Sequence, residues 1–116
     1  MAAQLSDEDI SALAAYFAIQ PPAPGHTINA TLVARGKKLF EAGVPSRGLV
    51  SCAGCHGANA EGQSEFPRLA GQHAPYVLRQ LLVIQNALRQ APVMHGIIRD
   101  LTREQMQAVA AYLESI

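Results

Sequence analysis

Cys52-Ala-Gly-Cys55-His56 is the stretch of this chain whose residue types and spacing could carry chemistry. Two thiols three positions apart share one helical turn, so each can add to a vinyl group of a single haem, and the imidazole beside the second thiol then lies under the iron. The thioethers fix the cofactor. His56 would supply an axial ligand through Nε2, leaving Nδ1–H for a neighbouring acceptor. Two other chemistries use the same cysteines. A structural zinc site wants four Cys or His ligands, and the remaining histidines, His26, His73 and His95, stand at no recognised spacing. A redox dithiol belongs beside βαβ structure, of which the sequence has no sign.

The rest of the chain must position that motif. With 116 residues it has one domain's worth of sequence, and with three Tyr, three Phe and no Trp it is short of large side chains to fill a core. A bound cofactor would supply the missing volume. Nine basic and nine acidic residues balance, which argues against a nucleic-acid binder. No apolar run approaches the ~20 residues of a membrane span. Val77 to Ile84, among the longest, is interrupted by Arg79 and Gln80. The N-terminus is acidic where a secretory signal would be basic and then apolar, so export would require a signal already removed.

A repeat organises the chain. Leu5-Ser-Asp-Glu-Asp-Ile-Ser-Ala-Leu-Ala-Ala-Tyr-Phe aligns without a gap to Leu101-Thr-Arg-Glu-Gln-Met-Gln-Ala-Val-Ala-Ala-Tyr-Leu. In each copy a hydroxyl (Ser6, Thr102) can cap the first free amides and the residue three on (Asp9, Gln105) can bond back, with a Leu before the cap placed to staple onto Ile10 or Met106. Apolar residues then follow at helical spacing, Ile10, Leu13, Ala14 and Phe17 in one and Met106, Val109, Ala110 and Leu113 in the other. Residues 30–42 read as a further helix ended by Gly43, with Gly36 in its middle marking close packing against a neighbour. A helix from Pro75 to about Leu88 would bury Val77, Leu78, Leu81, Leu82 and Leu88. Residues 44–71 and 90–96 read as loop. No strand pattern appears, so the predicted fold is all-α: helices around one haem with long loops, plus one extra N-terminal helix.

These residues resemble a class I c-type cytochrome over roughly residues 28 to 116: the attachment motif, a preceding helix with Gly36 and Phe40, a Met before the last helix, and that helix's Ala-Ala-Tyr-Leu ending. Cys-His-Gly-Ala-Asn-Ala-Glu-Gly-Gln, Phe66-Pro-Arg-Leu-Ala-Gly-Gln72, Tyr76 and Gln80-Leu81 are similar to the soluble bacterial cytochromes c with two haem domains in tandem. The resemblance implies Met94 as the distal ligand, and a neutral thioether opposite imidazole would favour ferrous iron. Met106 is the staple residue of the last helix, Met1 does not occupy the ligand's place in the repeat, and His95 and His73 are the alternatives to Met94. The family also implies that the Pro67 carbonyl accepts the Nδ1–H of His56. Arg68, Gln72 and Tyr76 are candidates for bonding haem propionates, Arg68 through a charge-assisted contact. Phe40 and Tyr112 are expected to pack where the first and last domain helices cross at Gly36.

The expected organisation is a helix over 1–19 resembling the end of a preceding haem domain, a Pro-rich linker over 20–27 (Pro21, Pro22, Pro24), and a cytochrome c haem domain over 28–116. The chain would then be a fragment of a longer protein. The apolar face of the extra helix calls for a partner, on this domain, in a second haem domain or in a helix-exchanged dimer. The expected function is a single-electron carrier with one haem c, working in the bacterial periplasm between redox protein partners such as donor and acceptor cytochromes, an oxidase or a reductase. Residues 27–116 carry nine bases and six acids, a slight bias towards an acidic partner. The alternatives are a haem enzyme or gas-binding domain with an open distal position, or the electron-entry domain of a larger oxidoreductase.

Overall fold

The computed structural model describes residues 2–116; Met1 lies outside them. Six α-helices follow in order: α1 (Asp7–Ala18), α2 (Ala30–Ala42), α3 (Ala53–His56), α4 (Ala74–Gln85), α5 (Pro92–Ile98) and α6 (Arg103–Glu114). Single 3-10 turns lie at Ala2–Gln4 and Pro45–Arg47. Among the described residues the only β pairings are isolated bridges, Val44 with Leu49 and Gln63 with Phe66.

Local chemistry accounts for the helix ends. Ser6 and Thr102 each accept an amide hydrogen bond from the residue three on, and the side chains of Asp9 and Gln105 return one to the cap backbone, so both capping boxes form. Asn29 caps α2 by accepting from Leu32 N, and Gly43 ends it at φ 63°, a left-handed value that favours glycine. α2 and α6 make the principal helix pair, with α4 packed on α6 and α5 on α4. At the crossing, a Cβ on Gly36 would collide with the Ala108 carbonyl. The rings of Phe40 and Tyr112 meet there at 5.4 Å, and Phe40, Met106 and Leu113 are almost wholly buried.

Three expectations are corrected. α4 stops at Gln85, because the chain turns at Ala87 (φ 56°), so Leu88 does not join the buried side and is 79% exposed; Ile84 is buried instead. Most of the stretch 90–96, read as loop, is helical as part of α5, because Pro92 stands in the first turn, where a proline is tolerated. The segment 44–71 contains the short helix α3 and a 3-10 turn. Of the partners left open for the apolar face of α1, this domain is not one: α1 buries nothing against it, and Ile10, Leu13 and Phe17 all remain exposed. The linker is nevertheless fastened at its far end, where His26 N donates to the Glu114 carbonyl at 2.7 Å and Gly25 lies too close to the Ser115 backbone to admit a Cβ.

Candidate haem site

The attachment motif forms the turn α3. Cys52 N donates to the Phe40 carbonyl at 2.9 Å, which ties the motif to the buried end of α2. His56 N donates to Cys52 O at 3.0 Å, and Ser51 Oγ accepts from Gly54 N at 3.2 Å, so the turn is closed at both ends. Both cysteines are free and half-buried. Burial pushes the Cys52 thiol up to about 11. A reactive thiol has a lowered pKa, so Cys52 is not placed as the attacking thiol of a dithiol exchange.

The loop after the motif folds back under the imidazole. Gly57 leaves α3 at φ 87°, Gly62 N donates to His56 O at 2.8 Å, and the Ala60 carbonyl accepts from Leu69 N and Ala70 N. This path places the Pro67 carbonyl oxygen 3.0 Å from His56 Nδ1. A carbonyl only accepts, so Nδ1 carries the hydrogen, and in the neutral ring Nε2 holds a lone pair. His56 is 5% exposed, and its Nε2 is the one buried side-chain nitrogen or oxygen among the described residues without a hydrogen-bond partner. Such an atom costs about 1–3 kcal/mol unless something binds it. The donor set fits an imidazole-ligated iron: an oriented lone pair, a bonded Nδ1–H behind it, and two thiols on the same turn. Among the described residues no cluster of three or more His, Cys, Asp or Glu could hold a metal, so the four-ligand zinc arrangement is not assembled.

The other predicted residues divide. Met94 lies on α5, half-buried and packed against the same core as Cys52 and Ala53. His95, its neighbour, has Nδ1 2.9 Å from the Ile84 carbonyl and so donates to α4. His73 is 84% exposed beside Glu114 at 3.6 Å. Arg68, Gln72 and Tyr76 are all exposed and are not joined to His56; Gln72 Oε1 accepts from His73 N, and Arg68 makes no ion pair among the described residues. Two residues had escaped the reading of the sequence. Ser51 could have been found from its hydroxyl three residues before Gly54, a local capping pattern. Gln85, whose amide reaches three carbonyls at the end of α5 and in the turn before α6, left no local signal.

The family model for Cytochrome c matches residues 33–116. The chain belongs to the cytochrome c family. As a cytochrome c it binds haem c covalently, and Cys52 and Cys55 have the thioether spacing. It is similar to cytochrome c-552 of Acidithiobacillus ferridurans, 38% identical over 117 residues, covering 100% of this chain and 51% of that one. It also resembles the thiosulfate dehydrogenase electron acceptor of Stutzerimonas stutzeri, 41% identical over 85 residues, covering 72% of this chain and 39% of that one. The crystal structure of reduced recombinant cytochrome c4 from Pseudomonas stutzeri superposes with a TM-score of 0.90 at 33% identity, covering 100% of this chain and 64% of that one. The chain spans about half the length of the first of these relatives. Among the described residues no helix is long and apolar enough to cross a membrane.

Proposed function

We propose that this cytochrome c domain is a single-electron carrier with His56 and Met94 as axial ligands, exchanging electrons with redox proteins in the bacterial periplasm. The observation that carries the reading is His56: its Nδ1 is engaged by Pro67, and its buried Nε2 has no partner within the protein. Haem supplies the one-electron couple. The protein's part is to hold and tune it. The Pro67 carbonyl orients His56 and makes it a stronger donor. Met94 would supply a thioether as the second ligand, which would favour the ferrous state. The burial of His56 would keep water from a haem bound there. Met94 is preferred to His95 as the distal ligand because Met94 packs against the same core as Cys52 and Ala53, and the resemblance to class I cytochromes implies a Met before the last helix. The similarity to a protein named as an electron acceptor supports redox proteins as partners.

The same reading extends to the domain organisation. Residues 1–19 close a preceding haem domain, 20–27 link the two, and 28–116 form the second. Its support is the repeat: α1 carries the capping box and apolar spacing of α6 yet has nothing of this domain to cover it.

The deciding experiment is an absorption spectrum of the periplasmically matured protein, oxidised and reduced, extended into the near infrared. Low-spin c-type bands with a weak sulfur-to-iron band in the oxidised form are expected. A high-spin or carbon monoxide-reactive spectrum would overturn Met94 and make an open-iron enzyme or gas sensor the better reading.

A further inference from the structure

α5 is seven residues long, contains Gly96, and ends at Arg99 with no capping hydrogen bond. A helix this short does not hold itself in water. Its place must come from its neighbours, and two adjacent residues at the end of α4 provide it. The Ile84 carbonyl accepts from His95 Nδ1 at 2.9 Å, at the middle of α5. Gln85, the last residue of α4, sends Nε2 to the carbonyls of Ile98, Arg99 and Leu101 at 3.1, 3.0 and 2.9 Å. Ile98 and Arg99 close α5, where the last carbonyls of a helix lack partners within it, and Leu101 stands just before the Thr102 cap of α6; Ile98 O also accepts from Leu101 N at 3.0 Å. Met94 therefore sits on a helix of about two turns, fastened at its middle and at its C-terminal end to one spot on α4.

We propose that Gln85 is a positioning residue for Met94: by closing the end of α5 and its junction with α6, its carboxamide holds the thioether at the distal position. The proposal rests on Met94 being the distal ligand. A neutral thioether is a weak axial ligand that must stay in place through oxidation and reduction, so the stiffness of α5 decides how readily another ligand displaces it. Gln85 does this without touching the cofactor site. A carboxylate at the same position would face three carbonyl oxygens and donate nothing.

The test titrates imidazole into the oxidised, haem-loaded protein and follows loss of the near-infrared sulfur-to-iron band, for the parent and for Gln85→Ala, Gln85→Glu and Asn86→Ala. Asn86 is the control, because its Nδ2 bonds Leu82 O at 2.8 Å within α4 and reaches nothing on α5. Both Gln85 variants should bind imidazole roughly tenfold more tightly, as expected when one or two neutral hydrogen bonds holding the closed state are lost. Asn86→Ala should match the parent. Unchanged imidazole affinity in the Gln85 variants overturns the proposal, as does an equal gain in Asn86→Ala, which would mean general loosening of α4. Failure of both Gln85 variants to take up haem also overturns it, since the assigned role concerns one ligand and not the pocket. A parent with no sulfur-to-iron band would instead remove the Met94 assignment itself, so the two failures are distinguishable.

Discussion

Gly36 lies so close to the carbonyl of Ala108 that no side chain fits between the two helices. This contact sets the separation of α2 and α6, and with it the depth of Phe40, whose carbonyl accepts from Cys52 N and so starts the attachment turn. The helix crossing and the haem motif are therefore mechanically joined.

Gly36→Ala tests that joint. Helix propensity alone would stabilise α2 by ~1 kcal/mol. The new methyl meets backbone, which has no rotamer to change, so the helices must part; overpacking of this kind costs about 1–3 kcal/mol and opens the contact of Phe40 with Tyr112. The steric term wins. Thermal unfolding followed by far-ultraviolet circular dichroism should show the melting temperature lowered by several degrees, and a rise would refute the close-packing account.

The two capped helices allow a paired comparison. Ile10 and Met106 occupy the same place in the repeat, but Met106 is fully buried and Ile10 is 48% exposed. Met106→Ala should cost about 2–5 kcal/mol in denaturant unfolding, as large-to-small changes in a core do. Ile10→Ala should stay within about 0.5 kcal/mol. A large loss at Ile10 would mean that α1 packs on something in solution, and gel filtration of the same samples would show whether that is a second copy.

What could be read in the sequence was mostly local. The capping boxes at Ser6 and Thr102, the glycine at 36 and the Cys52–His56 motif each declare themselves within a few residues, because their physics acts over one helical turn. α5 was hidden because Pro92 and Gly96 look like helix breakers, although a proline in the first turn obstructs nothing. Leu88 was misassigned because apolar periodicity continued past the turn at Ala87, where the backbone had already left the helix. The Gln85 contacts depend on how α4, α5 and α6 meet, and no spacing encodes that. Pro67 was reached only through likeness to a family, since nothing local connects residue 67 to residue 56. Arg68, Gln72 and Tyr76 came by the same route and stand exposed.

Met94→His addresses the proposed ligand directly. Replacing a thioether by an imidazole adds a better donor to ferric iron, so the oxidised state gains and the reduction potential falls. Protein-film voltammetry should show a drop on the order of 0.1 V or more within the ~0.8 V that axial ligands span. The sulfur-to-iron band should vanish while the iron stays low-spin. An unchanged potential would place the sulfur elsewhere.

Alkaline pH separates Tyr112 from the other groups. Burial, and secondarily the carboxylate of Glu41, push its phenol above the ordinary value of 10. The folded state therefore keeps the proton longer than the unfolded chain. Its contribution to stability is fully present below about pH 10 and is lost as pH rises through the folded-state value. Tyr112→Phe keeps the ring that packs on Phe40 but cannot ionise. Near neutrality the variant should match the parent within about 0.5 kcal/mol. Above about pH 10 it should lose less stability than the parent as pH rises. Denaturant midpoints measured across that range check the sign, and parallel curves for the two proteins would show that Tyr112 does not contribute to the alkaline loss.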